Sequence, residues 1–550
     1  MNSTSTLTLN RPLTLALSLA LSLVLALALS ACATPPAERP PLKLTILHTN
    51  DHHGRFWTNA DGEYGMAARK TLIDRVRAEV QAAGGHTLLL DGGDVNTGVP
   101  ESDLQDAEPD FKGMSLLGYD AMAVGNHEFD RPPSVLALQR SWAKFPLLSA
   151  NIFKDGKPLF PSHTLFERGG YRIAVMGLTT NDTAKMVLPA NIVGIEFRKP
   201  ADVAAQLVPQ LRAQADMVIA ATHMGHYTDG KSGVNAPGDV EMARAVPGLD
   251  LIVGGHSQNP VCMLMLNVRN EAYKPGQPCA PDRHNGAWIV QAHEWGKFVG
   301  RADFELRNGS VQLIKYQLLP VNMWLRGPGT EKTLAAERLP EDPAVRAFLQ
   351  PFQDKGQLSL GVQVGRVDEV LDGDRNRVRR QPTNLGTLIA RAMMERTGAD
   401  LGLMNSGGIR DSLPAGVLTY RDVLKVQPFG NTVSVVTLSG AELLEVLRFA
   451  ARMTAGAGAF PQTAGVKLRI NGGVLESAQI GGRDIDPAGR YRLAINNFTA
   501  SGGDGYPPLD KHPGYVNSGF VDADVLRAFL AARSPIRAAD FAPGDEVLRK

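Results

Sequence analysis

Six short apolar runs in the first half of the chain constrain its fold more than any other feature. They are LTILHT (44–49), HTLLLD (86–91), YDAMAV (119–124), RIAVMGL (172–178), DMVIAAT (216–222) and DLIVGG (250–255). Continuous runs of this length predict strands of a sheet buried on both faces. Helix-like stretches separate several of them, such as MAARKTLIDRVRAEVQAAG at 66–84. The alternation predicts an α/β layered domain over 43–341. From about 326 it breaks into RGPGTEKTLAAERLPE. Asp342-Pro343 then reads as a helix N-cap and first position, and Val345, Phe348, Leu349 and Phe352 form one apolar stripe. A linker helix is predicted within 342–361, kinked at Pro351 and ended by Gly356. Residues 362–550 read as a second, α+β domain.

Lys+Arg against Asp+Glu is 57 to 56, a net charge of +1 over 550 residues. So weak a field gives no case for a nucleic-acid polymer as partner. Only one stretch, PLTLALSLALSLVLALALSA at 12–31, is apolar and long enough to enter a bilayer, which excludes a multi-span membrane protein. It follows Arg11 and ends in Leu29-Ser30-Ala31-Cys32, which resembles a bacterial lipobox. Residues 1–32 are therefore expected to be a signal peptide with lipobox, with Cys32 lipidated. A plain signal peptide cut near Ala31 or Ala33, or an uncleaved anchor, is the alternative. Residues 33–42, rich in Pro, suit a stiff tether. If Cys32 carries lipid, Cys262 and Cys279 remain as an even pair in an oxidising compartment. A disulfide there would contribute about 3 kcal/mol in the chain-entropy treatment. Two reduced, buried thiols are the alternative.

Seven of the twelve His fall in four motifs: LHTNDHHG (47–54), GNHEFD (125–130), THMGH (222–226) and GGHSQ (254–258). A fifth motif, DGGD (91–94), ends in Asp94. Each lies at the C-terminal end of an apolar run, where open α/β sheets bind ligands. Asp51 and His53, at i and i+2, are expected to share a face by strand alternation, with His52 pointing away. Asp94 can bridge two ions with its two oxygens. Asn126, His223, His256 and Gln258 complete a mixed N/O donor set that suits Mn, Zn, Co or Fe.

D-x-H, GGD, GNHE, THxGH and GGHSQ, in that order, resemble the calcineurin-like metallophosphoesterases, and in particular the bacterial 5'-nucleotidase/UDP-sugar hydrolase family. The likeness extends through NTGVPESDLQDAEPDF, VGNHEFD, LSANI, AATHMGHY, NAPGDVEMARA and QAHEWGKFVGRADFE, and covers the chain from 43 to 550. It implies a four-layer α/β/β/α first domain and a two-metal centre, with Mn, Zn or Co as the ions. One ion would be held by Asp51, His53, Asp94 and Gln258. The other would be held by Asp94, Asn126, His223 and His256. His127 and Asp130 match the family's catalytic dyad. His226 reads as a structural or supporting residue.

The second domain carries GDRNRVRR (373–380), a solvated basic loop on its face value. The resemblance instead assigns Arg375, Arg379 and Arg410 to substrate phosphate, and guanidinium forks fit phosphate oxygens. It assigns Phe429 and Phe498 to a sandwich around the base, and Asn431, Gly458 and Asp504 to neighbouring substrate contacts. Without it, both Phe would read as core. It further implies a large rotation of the two domains about the linker helix. The expected function is a monomeric, exported hydrolase, lipid-anchored to the outer membrane, that releases phosphate from 5'-nucleotides and UMP from UDP-sugars. A 2',3'-cyclic-nucleotide phosphodiesterase with 3'-nucleotidase activity shares the two-domain plan and is the alternative.

Overall fold

In a computed structural model, residues 1, 39–187, 189–227, 237–327, 331–544 and 547–549 are described. The apolar run, the lipobox with Cys32 and most of the tether lie outside them. Among the described residues no helix is long and apolar enough to cross a membrane.

Two six-stranded sheets face each other in the first domain. One runs Ser310–Pro320, Phe298–Arg307, Leu42–Thr49, His86–Asp91, Ala121–Ala123, Leu147–Leu148 from edge to edge. The other runs Asp282–His284, Ala287–Val290, Leu251–Val253, Met217–His223, Tyr171–Thr179, His163–Arg168. The six apolar runs are strands in these sheets, and they read as unbroken apolar because both faces are covered. Leu44, Ile46, Leu88 and Leu90 meet Ile173, Val175, Ile219 and Leu251 between the sheets. The alternate residues face outward. Leu47 and Leu89 pack with Ile73, Phe111 and Leu136 of the Met66–Ala82, Glu108–Leu117 and Pro133–Trp142 helices. Ala174, Met176 and Val218 pack with Val208 and Leu211 of Pro200–Arg212 and Val240 of Asp239–Ala245. The result is the expected α/β/β/α stack.

Parallel register fixes where the motifs emerge. Thr49 stands beside Asp91, His223 beside Thr179, and Ala221 beside Val253. The loops that follow leave from the same end of both sheets.

The helix Pro343–Leu360 begins as the sequence predicts, with the Asp342 carboxylate accepting the Val345 N–H at 2.8 Å. It does not end at Gly356. The helix continues to Leu360, with Gly361 as its cap. Gly356 has a packing role instead, since a Cβ there would lie 2.9 Å from the Glu101 Cβ. Its absence lets the short Pro100–Asp103 helix rest on the linker. Val345 and Leu349 anchor the linker in the first domain's core.

The second domain is built on a five-stranded sheet, in the order Pro461–Ala464, Leu401–Asn405, Arg490–Asn496, Thr432–Ser439, Tyr515–Val521. The Asn384–Thr397 and Asp522–Arg533 helices cover one face and Gly440–Ala451 covers the other. Arg421 clasps the domains together. It donates to Glu101 of the first domain and, at 2.7 Å, to the side-chain Oε1 of Gln357 on the linker, whose Nε2 donates to Glu101 at 3.1 Å.

Candidate active site

The motif loops meet because glycines let their backbones touch. A Cβ at Gly92 would lie 2.6 Å from the Gly254 carbonyl oxygen, so the loops from the two sheets could not close with any side chain at that position. A Cβ at Gly125 would lie 2.2 Å from Asp94 Oδ1.

On this floor the predicted donors converge. Asp94, His223 and His256 offer ligand atoms to one point, and His53, Asp94 and His127 to another. Asp94 belongs to both groups. Its Oδ1 accepts the His127 N–H at 2.9 Å, and its Oδ2 lies 2.9 Å from His223 Nε2 and 3.9 Å from His53 Nε2. The tautomers are fixed from behind. His223 Nδ1 donates to the Gly92 carbonyl at 2.7 Å, and His53 Nδ1 donates to the Thr97 carbonyl at 2.8 Å. Each ring therefore turns Nε2 inward as a donor atom. His223 Nε2 is fully buried and faces the Asp94 carboxylate. Asp51, Asn126, His256 and Gln258 lie in the same cluster. Asp51 Oδ2 accepts the His256 N–H at 2.9 Å, Asn126 Oδ1 is 2.9 Å from His256 Nδ1, and Gln258 Nε2 is 2.7 Å from His53 Nε2. All seven predicted ligands are thus brought together, and their N/O donors fit divalent cations.

Asp51 and His53 converge for a different reason from the one strand alternation gives. The strand ends at Thr49, and both residues lie beyond it with positive φ, 52° and 50°. Asp94 (62°), His256 (78°) and Gln258 (55°) share that left-handed conformation. Five of the seven donors thus sit in backbone states that cost non-glycine residues about 1–3 kcal/mol each. His52 does point away, as expected. It is buried with Nε2 2.9 Å from Asp110 Oδ1 and Nδ1 3.2 Å from Arg69 Nη2.

His127 projects from the same end. Its Nδ1 is 2.5 Å from Asp130 Oδ2, which also accepts the Thr97 hydroxyl at 2.6 Å. Burial alone would lower the imidazole pKa, but Asp130 and Asp94 outweigh it and raise it to about 10. Asp130 thus both orients the ring and favours its protonated form. His256 goes the other way, lowered by burial and by His223 to about 4, and stays neutral. His226 lies outside the cluster, its Nε2 2.9 Å from Asp282 Oδ2.

A residue without an assigned role in the motif reading organises these loops. Glu128 is fully buried and accepts four backbone N–H groups: Gly125 at 2.6 Å, Val95 at 2.8 Å, Asp94 at 3.1 Å and Asn96 at 3.3 Å. The signal was an acidic residue between the dyad members in GNHEFD. Asn50 acts similarly, donating to Asp51 Oδ2 at 2.7 Å while its carbonyl accepts the Ala292 N–H at 2.7 Å.

The donor cluster opens into a cavity of about 450 Å³ between the domains. Asp94, Asn126, His127, Asp130, His256 and Gln258 form one wall, while Asp51, His53 and His223 lie behind it. Arg379, Arg410, Phe429, Asn431, Gly458, Phe498 and Asp504 form the other. Arg375 is exposed on the short Arg375–Val378 helix next to Arg379. Its charge is still felt. Burial lowers the pKa of Arg379 and Arg410, and Arg375 lowers both further. Arg379 Nε is buried without a partner, and the Arg410 guanidinium lies 5.4 Å from the Phe429 ring centre. Crowded guanidinium groups on a cavity wall, with no carboxylate paired to either, call for an anion. Asp504 is oriented by Asn405 Nδ2 at 2.7 Å, and its φ is 56°. Away from the cavity, Cys262 and Cys279 form a disulfide.

Comparison with known proteins agrees with this arrangement. Residues 44–260 match the calcineurin-like phosphoesterase family, and 363–511 match the 5'-nucleotidase C-terminal domain. The chain is 55% identical to protein UshA of Escherichia coli, over 92% of this chain and 94% of that protein. It is 53% identical to a 5'-nucleotidase of Vibrio cholerae, over 94% and 96% of the two. Among solved structures, a 5'-nucleotidase precursor from Thermus thermophilus superposes with a TM-score of 0.67 at 29% identity, covering 92% of this chain and 99% of that one. With its donor cluster at the strand ends and its cavity shared with the second domain, the chain belongs to the calcineurin-like phosphoesterases that carry a 5'-nucleotidase C-terminal domain, a family of hydrolases.

Proposed function

We propose that this chain is an exported, metal-dependent hydrolase that releases phosphate from 5'-nucleotides and splits UDP-sugars into UMP and sugar 1-phosphate. One observation carries the reading: a single cavity has metal-type donors and His127–Asp130 on one wall, and two arginines and two phenylalanines on the other.

The residues fit two divalent ions, Mn, Zn or Co, one at Asp51, His53, Asp94 and Gln258 and one at Asp94, Asn126, His223 and His256. When bound, such ions supply Lewis acidity toward phosphoryl oxygens and a more acidic water. The chain's own groups do the rest. Asp130 holds the His127 ring by Nδ1, so the protonated Nε2 can donate to the phosphoryl oxygen where charge accumulates. Arg375, Arg379 and Arg410 bind substrate phosphate oxygens. Phe429 and Phe498 offer aromatic faces to the base, and stacking accepts any base. Asp504 accepts from ribose hydroxyls, beside Asn431 and Gly458. Export follows from the apolar run at 12–31, and lipidation of Cys32 would anchor the monomer to the outer membrane, facing the periplasm.

The test is released phosphate from AMP and released UMP from UDP-glucose, after chelation and readdition of Mn²⁺ or Co²⁺, with His127→Ala alongside. Metal-restored turnover of both, lost in the variant, is the expected result. Inert AMP and UDP-glucose with hydrolysis of 2',3'-cyclic AMP would transfer the chain to the cyclic phosphodiesterases.

A further inference from the structure

Two buried amides stand behind the second domain's wall of the cavity. Asn405 ends the Leu401–Asn405 strand, and Asn496 ends the neighbouring Arg490–Asn496 strand. The strands run parallel, with Leu403 beside Ile495, so both amides leave the sheet at the same end. That end meets the cavity, which Asn405, Asn497, Phe498 and Asp504 line. Asn496 is fully buried and is not on the cavity wall.

The amides form a chain with one direction. Asn405 Nδ2 donates to Asp504 Oδ2 at 2.7 Å. Asn496 Nδ2 donates to Asn405 Oδ1 at 2.7 Å. Asn496 Oδ1 accepts the Thr499 N–H at 2.7 Å, capping the Asn497–Ala500 turn that carries Phe498. An amide side chain has a donor end and an acceptor end, and it can turn over only where its neighbours accept the exchange. Here they do not. The Thr499 N–H requires the oxygen of Asn496, and the Asp504 carboxylate requires the NH₂ of Asn405. Turning either amide over would set acceptor against acceptor on one side and donor against donor on the other, in a buried site where such contacts are costly. The Thr499 N–H thus sets Asn496, Asn496 sets Asn405, and Asn405 sets Asp504. The Asp504 carboxylate makes no other hydrogen bond among the described residues. A second contact joins the same two residues. A Cβ at Gly503 would lie 2.6 Å from Phe498 Cε1, so its absence lets the Asp504 turn rest on the Phe498 ring.

We propose that Asn496 is a positioning residue for substrate binding. Without lining the cavity, it sets through Asn405 the Asp504 oxygen that meets the ribose, and through its cap it sets the turn that offers Phe498 to the base. Contact groups hold their geometry when the residues behind them are locked by packing and hydrogen bonds. The proposal rests on the reading of Asp504 and Phe498 as ribose and base contacts, and it makes those two contacts one unit.

The test compares kcat/KM for AMP with that for 2',3'-dideoxy-AMP, which lacks the hydroxyls that Asp504 would accept from, using the full chain with Mn²⁺. Asn496→Ser keeps an oxygen for the Thr499 N–H, since serine caps as well as asparagine, and removes the donor to Asn405. It should lower the preference for AMP by about 3–10-fold, chiefly through the KM for AMP. Asp504→Ala should remove the preference, a change of about 10-fold or more. In the Asp504→Ala background Asn496→Ser should change the preference no further, because it acts through Asp504. Asn496→Thr, which offers the same kind of cap oxygen and suits a strand end, repeats the comparison if the serine variant's second domain does not melt cooperatively. Equal losses on AMP and dideoxy-AMP, or a further change in preference once Asp504 is gone, would overturn the proposal and leave Asn496 a role in folding alone. An unchanged preference in Asn496→Ser beside a lost one in Asp504→Ala would overturn the relay and keep the ribose reading. An unchanged preference in Asp504→Ala would overturn the ribose reading, and the proposal with it.

Discussion

Replacing Glu128 by glutamine should loosen the metal-end loops without removing any donor. In the present structure each Glu128 oxygen accepts two backbone N–H groups, one from Gly125 and Asp94, the other from Val95 and Asn96. Glutamine keeps the shape but turns one acceptor into an NH₂. Whichever way it sits, two buried N–H groups then face a donor. Hydrogen bonds to a charged group are worth about 1.5–3 kcal/mol each, so the gross loss is about 3–6 kcal/mol. Relief of carboxylate burial, which together with Asp94 raises the Glu128 pKa, offsets part of this and leaves about 3 kcal/mol. A loss of that size lowers Tm by about 6–12 °C for a unit of a few hundred residues. Scanning calorimetry would resolve the first domain's transition. The weaker loops should also need more Mn²⁺ for half-maximal reactivation. A Tm within about 2 °C of the parent, with unchanged Mn²⁺ demand, would refute the account of Glu128 as the clamp of these loops.

Four further outcomes follow from the geometry. His127→Ala should cut kcat on AMP by about 10²–10³ while leaving calorimetric stability nearly unchanged, and Asp130→Asn should lose less, since it frees the ring without removing it. Phe429→Ala should raise KM for nucleotides by about 5–100-fold in steady-state assays with little base preference, the cost of one lost stacking face. Chelation should abolish turnover and lower the first domain's Tm, and excess Mn²⁺ should restore both, because ions that bind only the folded state stabilise it. Asp522, fully buried, has its pKa raised to about 7 by desolvation, against the opposing pull of the Ala523 N–H and Asn431. The folded state holds this proton where the unfolded chain has lost it, so its contribution is complete below about pH 4 and is lost as pH rises through about 7. Denaturant titrations at pH 5 and pH 8 should show that loss, and Asp522→Asn should flatten it.

The sequence carried the first domain well because its strands are buried on both faces, and unbroken apolar runs are visible without an alignment. It carried the donor set for a chemical reason, since His, Asp, Asn and Gln at successive strand ends have few other uses. What it could not supply was backbone conformation. Nothing in the letters D-H-H marks residues 51 and 53 as left-handed, so the structure brings the two together by a route that alternation does not describe. Gly356 misled in the same way, because a glycine that removes a Cβ for packing looks like one that ends a helix. Phe429, Phe498 and Asp504 became legible only through family resemblance. Aromatic and acidic residues in a mixed α+β domain have too many ordinary roles for their spacing to decide. Arg375 was legible in the same way only, and stands exposed where its charge acts on Arg379 and Arg410.

The division of the cavity between two domains bears on inhibitor design. A fragment that chelates at the donor wall meets chemistry common to many phosphoesterases and gains no selectivity from the second domain. A fragment stacked against Phe429 gains selectivity and leaves the reacting centre open. Joining two such fragments makes the second contact intramolecular, with an effective concentration in the millimolar range for a short linker of matching span. The joined compound would also hold the two walls together, favouring the form described here by as much as it binds that form more tightly than any other.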